Sequence, residues 1–482
     1  MRILFLCVFS AFLFSEEAHD YFLRAEKHRT LGRFTEAILW YRERLLFPEE
    51  QDEVWFSKYM LGVCYEKAGD WDSALSWYLE AFQSKPLCGD PLREIAVHYR
   101  VEGKNDLAYL FAFHGKKISP EDLRFDSELV ISSYYTPFKQ DGFLAANRVI
   151  LTKDLEGNLK DHTYRNLLYY ITPLADARFK KVDCLLPLIC EGSEEHYHPM
   201  NPSLIKGREG YQVICRSVNY TQMGAKHFQT SDPSGIFRTR NFLLDYDEEF
   251  NLVSQNEIIE NLPRKRTPHF NVEGLEDCRI FSHEDSLWFS CTTLDTNSGT
   301  PQISLCKLEE ESQDGIVYVE KLIPLQGPNP KRCEKNWLPF SLSNEIYTIY
   351  SCGPFVLNKP NLETGAWNPV FQYEPSLDFS SFRGSAAPIQ FDGGYLMLVH
   401  EVVFLYDYQR AYLHRFIQFD LEFKVTHISK PFIFKHVGIE FCPSMVFSHK
   451  GNELILAVGI EDREALLCFL EVDKLRSILE PL

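Results

Sequence analysis

Apolar positions along the chain fall into two textures, and the change comes near Pro173. From Glu16 to about Ser119 they recur at helical spacing and as a repeat. Gly62, Tyr65, Gly69, Ala74, Tyr78, Ala81 and Pro86 occupy the offsets of a tetratricopeptide repeat, and Ala96, Tyr99, Gly103 and Ala108 return after a period of about 34 residues. An earlier copy, Gly32, Phe34, Ala37 and Tyr41, is shifted by an insertion around Pro48-Glu49-Glu50-Gln51. Small residues let paired helices approach closely, and Tyr and Trp fill the gaps between pairs. Each pair leaves an apolar face that only stacking can bury, so residues 16–119 are expected to form a helical stack. Its groove suits a peptide or another domain, and bracing the second domain is the plainer role open to it. Between Pro120 and Pro173 the period weakens, and this stretch reads as a helical connector over 120–173. Ala145 to Leu151 predicts one more helix there, and Tyr164 to Ile171 another helix or a first strand.

After Pro173 short alternating or apolar runs are separated by Gly, Asn, Asp and Pro, the pattern of strands and turns. Tyr211 to Arg216, Leu287 to Cys291, Ile346 to Ser351, Tyr395 to His400 and Leu454 to Gly459 are the clearest strands. Each follows a similar lead-in: Asn201-Pro202-Ser203-Leu204, Glu276-Asp277-Cys278-Arg279-Ile280, Glu334-Lys335-Asn336-Trp337-Leu338-Pro339-Phe340, Gly384-Ser385-Ala386-Ala387-Pro388-Ile389 and Phe441-Cys442-Pro443-Ser444-Met445. Five such units, about 50 to 70 residues apart, are what a five-bladed β-propeller of four-stranded blades requires. The fold class expected is therefore multidomain, α followed by all-β, with the propeller over 174–482. In a propeller the innermost strands converge on the axis, so the five lead-ins would face one pocket.

Composition narrows the function classes. A length of 482 residues favours two domains, and 45% hydrophobic with 24% charged residues is a globular balance. A net charge of -18 argues against nucleic acid as the main partner, since a phosphate backbone is held by a positive surface. Aromatic content of 14% is high, and the surplus falls on expected strands, where flat rings pack well and can stack on sugars. Met1-Arg2, the apolar run Ile3 to Phe14 and then Ser15-Glu16-Glu17 read as a short secretory signal over 1–15. This predicts export to the periplasm or the extracellular space; an apolar first helix packed on the repeats, in a cytoplasmic protein, is the alternative. No later run is long and apolar enough to cross a membrane. Of 13 cysteines none forms a C-x-x-C pair, and Cys190, Cys215, Cys291 and Cys306 suit buried thiols as well as bridges.

Candidate chemistry centres on Gly274-Leu275-Glu276-Asp277-Cys278-Arg279, where two adjacent acids and a guanidinium sit at a strand entry. A carboxyl held between an arginine and a second acid can have its pKa moved either way. A buried acid-arginine pair that only pins a loop is the plainer role for a lone match.

The ordered set changes the picture. Asn201-Pro202, Arg216, Glu276-Asp277-x-Arg279, Lys335-Asn336, Pro388 with Gly394 and His400, Phe441-x-Pro443 and Gly459-Ile460-Glu461-Asp462 together resemble glycoside hydrolase family 130. These are five-bladed β-mannoside phosphorylases and hydrolases, with related β-mannosyltransferases. The resemblance covers about Met200 to Glu464 and excludes the helical repeats. It implies Asp277 as proton donor, acting directly or through a sugar hydroxyl, and an inverting attack from the opposite face of the sugar. Phosphate would attack in a phosphorylase and water in a hydrolase. A phosphate dianion needs convergent cationic donors, and Lys335, His400 and Arg216 are the matching positions. Asn201, Glu276, Arg279, Asn336 and Asp462 would bind sugar hydroxyls, and Trp337 would stack on a ring. Cys278 replaces the family's usual proline, which alters backbone shape more than chemistry.

Each residue has a duller competitor: Lys335 pairing with Glu334, His400 satisfied in the core beside Glu401, a structural Arg216, and Asp462 capping a turn before Arg463. Between Arg279 and Lys321 the one basic residue is Lys307, which weakens phosphorolysis. Hydrolysis, transfer from an activated sugar donor, and a non-catalytic glycan- or protein-binding scaffold therefore stay open. Pro263-Arg264-Lys265-Arg266 reads as a solvated basic loop, and Glu195-His196-Tyr197-His198 lacks a third metal ligand. No cofactor motif or metal site is expected. The partners expected are a glycan or sugar phosphate in the pocket and a protein in the repeat groove.

Overall fold

The structure, a computed structural model, describes the chain except for residues 1–16, 48–49, 156, 183, 185–196, 225–226, 263–271, 294–299, 310–314, 330 and 406–408. The leader expected over 1–15, the basic cluster at 263–266, and Glu195 with His196 lie outside the described residues. The chain divides into two compact units, Met1–Ile150 with Asp154–Tyr170, and Leu151–Lys153 with Ile171–Leu482.

In the first unit the described residues form helices α1 (17–30), α2 (Phe34–Arg44), α3 (Gln51–Lys67), α4 (Trp71–Ser84), α5 (Asp90–Val101), α6 (Asn105–Ile118), α7 (Leu123–Ser132), α8 (Lys139–Leu151) and α9 (Gly157–Leu167). Successive helices from α2 to α7 pack on one another. The repeat residues do the work their spacing predicts: Ala74, Tyr78 and Ala81 of α4 are fully buried, as are Ile95 and Ala96 of α5. A Cβ at Gly62 would lie 2.5 Å from the Tyr78 ring, so only glycine lets α3 approach α4 this closely. The Tyr78 hydroxyl then donates to Glu66 at 2.8 Å, tying the same two helices. A Gly62→Ala substitution overpacks this contact and is expected to cost about 1–3 kcal/mol, read as a lower denaturant midpoint of helix melting. Among the described residues no helix is long and apolar enough to cross a membrane.

The second unit is a five-bladed β-propeller. Blade I comprises His198–Lys206, Tyr211–Val218, Phe237–Tyr246 and Leu252–Ile259; blade II, Glu276–His283, Ser286–Thr293, Gln302–Leu308 and Ile316–Pro324. Blade III comprises Leu338–Leu342, Glu345–Cys352, Phe355–Asn358 and Pro369–Tyr373; blade IV, Arg383–Phe391, Gly394–Phe404, Arg410–Phe419 and Val425–Ser429, extended by Leu479–Pro481. Blade V comprises Glu440–Phe447, Glu453–Ile460 and Glu464–Glu471, completed by Arg178–Lys181 from the opposite end of the propeller segment. All neighbours within a blade are antiparallel. The first strand of each blade packs against the first strands of the blades on either side, closing a ring around the axis.

Period-two patterning explains why the second strands read as almost continuous apolar runs. Both faces of each blade are buried, one in each inter-blade gap. Val213 faces blade V with Leu467, while its neighbour Ile214 faces blade II with Phe289 and Cys306. Trp288 and Leu305 turn the other way to meet Ile346 in the II-III gap. Met397 and Val399 pack on Ile349 and Phe355 of blade III, and Leu396 and Leu398 pack on Leu454 and Leu456 of blade V. Five gaps hold five apolar clusters. The inner strands have an unpaired edge toward the axis, and serines stitch them: Ser203 accepts the N–H of Ile280 at 2.9 Å and Ser444 that of Leu204 at 2.6 Å.

Candidate active site

Each lead-in departs from regular strand geometry at the same place. Pairing slips between Met200 and Ser203 in blade I, Gly384 and Ala386 in blade IV, and Phe441 and Ser444 in blade V. In blade II the slip falls between Ser290 and Thr292, opposite the acid motif. Asn201, Asp277 and Asn336 have φ of 41°, 52° and 65°, and Glu461 and Asp462 have 52° and 51°. Bulges re-aim side chains, and left-handed non-glycine residues concentrate where function holds them. Here they turn polar side chains toward the axis.

The result is a cavity of about 410 Å³ with contributions from all five blades. Eight of the ten residues singled out from the sequence line it: Asn201, Arg216, Glu276, Asp277, Lys335, Asn336, His400 and Asp462. Arg216 is buried at its centre. Its Nη1 donates to Asp277 Oδ1 at 2.6 Å, and its Nη2 to Glu276 Oε1 and the Tyr220 hydroxyl, both at 2.8 Å. Asn201 Nδ2 adds a bond to Asp277 Oδ1 at 3.3 Å. A Cβ at Gly459 would lie 1.9 Å from Asn201 Oδ1, so glycine at 459 makes the room this side chain needs.

The two aspartates are driven apart. Burial works to raise the pKa of Asp277, but Arg216, Lys335 and Arg279 together hold it below the ordinary carboxylate value. Asp462 has no ion pair among the described residues. Burial, opposed by Arg216 and reinforced by Asp277, pushes it up to about 6. An acid raised in the folded state contributes stability at low pH that is lost as pH rises through its folded pKa. Relative to Asp462→Asn, the wild type is therefore expected to lose about 2–3 kcal/mol between about pH 3.5 and about pH 7, measured by denaturant unfolding at the two values.

Three expectations need correction. Trp337 does not face the cavity: it is 1% exposed, packs in the gap between blades II and III, and donates Nε1 to Glu334 at 3.2 Å. Asn336, with its φ of 65°, turns the chain just ahead of the strand that begins at Leu338, and the next side chain, Trp337, enters the gap instead. Arg279 is also buried and does not line the cavity. It donates to the carbonyls of Ser385 and Gly384 at 3.2 and 3.3 Å and to Asn336 Oδ1 at 3.1 Å, clamping blade II to blades III and IV. Burial pulls its pKa down to about 10, which leaves it charged at neutral pH. His400 faces the cavity but as a neutral ring, because burial, then His414, Arg383 and Arg279, hold its pKa well below the ordinary value. It hydrogen-bonds Ser385 at 2.8 Å and stacks on Tyr412 at 4.9 Å.

The duller competitor for Lys335 does not hold. Glu334 is buried and bound by Trp337 and by the Tyr350 hydroxyl, while Lys335 is exposed on the cavity wall. Sequence reasoning missed Arg383 and Arg410 of blade IV, which bring two more cations to the lining. Arg383 pairs directly across the hairpin from His400, so counting back from His400 through the turn would have found it. It also missed Tyr220, Phe228 and Tyr412, which form an aromatic wall with Phe441 of the blade V lead-in. Tyr220 and Phe228 come from a hairpin, Tyr220–Gly224 and His227–Thr230, inserted between the second and third strands of blade I. Among the described residues the one group of ligand atoms close enough to hold a cation is His19, Glu50 and Glu53 in the helical unit, where Glu53 is already engaged by His19 and Arg44.

No family model and no curated protein matches the chain. Solved structures similar to it include a β-1,2-mannobiose phosphorylase from Listeria innocua, at 11% identity over 64% of this chain and 96% of that one, with a TM-score of 0.42. A mannose phosphorylase from Leishmania mexicana matches at 12% identity over 63% and 92%, with a TM-score of 0.38. The MamA protein of Desulfovibrio magneticus matches at 14% over 32% and 82%, with a TM-score of 0.27. The propeller and the helical repeats rest on the strand pairing and helix packing of this chain itself.

Proposed function

We propose that the propeller pocket is carbohydrate-active and cleaves or transfers β-linked mannosides, while the tetratricopeptide unit recruits a protein partner. The observation that supports this most is convergence: residues scattered from Asn201 to Asp462, ordered as in glycoside hydrolase family 130, line one cavity. Its volume suits one or two sugar rings. Asn201, Asn336 and Asp462 offer hydroxyl partners, and Tyr220, Phe228 and Tyr412 offer ring faces.

Asp277 is the proton-handling group of this reading. At rest it is ionised, so it cannot protonate a leaving oxygen until its surroundings change. An anion docking on Lys335 neutralises one of the three cations that hold its pKa down, and that pKa then rises. Nucleophile binding would thus load the acid. In phosphorolysis a phosphate oxygen bonds to the anomeric carbon, the glycosidic C–O bond breaks, and the proton from Asp277 goes to the departing oxygen, directly or through a sugar hydroxyl. The test is a screen of β-mannosides with and without phosphate, with products identified by mass spectrometry. Sugar 1-phosphate formed only with phosphate supports phosphorolysis, and free mannose in both arms supports hydrolysis. Absence of any binding or product across mannosides and activated mannose donors overturns the reading.

A further inference from the structure

A second cavity, of about 620 Å³, opens between blades III and IV and shares Lys335, Asn336 and Arg383 with the first. Lys335 and Arg383 are both exposed and line both cavities, and the Lys335 charge also reaches Asp277, whose pKa it helps to lower. Two cations at the junction of the two cavities, in a chain of net charge -18, make a local site for an anion, since each raises the potential at the other. The acid nearest to them in sequence, Glu334, lines the cleft, but its carboxylate is taken up by Trp337 Nε1 and the Tyr350 hydroxyl. An anion at this junction has the sugar cavity on one side and the cleft on the other. The cleft wall carries Tyr350, with the Arg332 guanidinium 6.0 Å from its ring, and the rim hydroxyls of Ser351 and Ser381. Inorganic phosphate would leave this second space unused.

We propose that the site takes its sugar as a nucleoside diphosphate ester, with the sugar in the five-blade cavity, the diphosphate across Lys335 and Arg383, and the nucleoside in the cleft between blades III and IV. This rests on the reading of the first cavity as a sugar site and selects transfer within it. The acceptor is a sugar hydroxyl. Its oxygen bonds to the anomeric carbon while the bond from that carbon to the phosphate oxygen breaks. The electron pair leaves with the nucleoside diphosphate, whose charge falls on Lys335 and Arg383, and the hydroxyl proton passes to Asp277. An Asp277 that Arg216 keeps ionised is ready for that proton, whereas direct donation would require it to be charged with one first.

The test is calorimetric titration of the full chain with GDP, with UDP and with inorganic phosphate. At least one nucleoside diphosphate is expected to bind ten or more times as tightly as phosphate. Ser381→Trp, which fills the cleft from an exposed rim position, is expected to bring that ratio to about one, and Lys335→Gln to weaken the nucleoside diphosphate at least tenfold. Ser351→Trp repeats the block from the facing wall, so that a single misfolded variant does not decide the outcome. A ratio near one in the wild type, or a ratio that survives both tryptophans, overturns the inference. Phosphate-dependent mannoside cleavage with a ratio near one overturns it while leaving the sugar reading intact. A high, tryptophan-sensitive ratio in a protein that processes no mannose compound supports the cleft and overturns the mannoside reading.

Discussion

Asp277→Asn is expected to lower turnover of the pocket's substrate by about 10²–10⁴-fold, the usual worth of a positioned proton-transfer group. The substitution keeps the shape of the side chain and can keep one acceptor toward Arg216 Nη1, which donates to Oδ1 at 2.6 Å in the wild type. What it removes is the capacity to take or give a proton at that point, in cleavage and in transfer alike. Steady-state kinetics on the purified variant, beside its melting temperature, separates chemistry from folding. A variant that is folded and as active as the wild type would remove Asp277 from the mechanism.

Arg216→Met is expected to have the largest effect on stability. Its guanidinium is 4% exposed and joins Asp277 and Glu276 at 2.6 and 2.8 Å. Removing it leaves two carboxylates, 18% and 20% exposed, without their shared cation, a loss of up to about 3–5 kcal/mol for a broken buried pair. The pH dependence gives a second signature. A carboxyl held below its ordinary pKa contributes stability above that ordinary value, and the contribution is lost as pH falls through the folded one. Asp277 is such a group and Arg216 is its strongest cation, so the acid limb of the stability curve should be flatter in Arg216→Met than in the wild type. Denaturant unfolding across the acid range measures both effects.

How much of this was legible in the sequence depended on whether a feature was local. The repeats were readable because Gly62, Ala74 and Tyr78 meet within one helix pair, so their spacing is their contact. The blade lead-ins were readable because a bulge leaves a short mark: Asn, Asp or Pro just ahead of an apolar run. The strand that completes blade V, Arg178–Lys181, left no such mark, being short and polar at an edge. The cations were sought close behind the acid motif along the chain, but a ring delivers neighbours by blade order, and Arg383 and Arg410 arrive from two blades on. The sequence left His400 open between an anion-binding and a satisfied core histidine, because its neutrality follows from burial beside His414 and two arginines contributed by other strands. Trp337 was assigned a direction that the left-handed turn at Asn336, just ahead of the strand, reverses.

The pairing of Arg178–Lys181 with Glu464–Glu471 has a consequence for biosynthesis. The first edge of the ring leaves the ribosome nearly three hundred residues before the strand that secures it, an interval read from the register Arg178 to Phe469. Until then the circle stays open, and Asp462, on the turn between the second and third strands of blade V, is made only just before the closing strand. A nascent chain that has not reached Glu464–Glu471 therefore lacks the strand that closes the ring, and the cavity lined by all five blades is completed only when that strand is made.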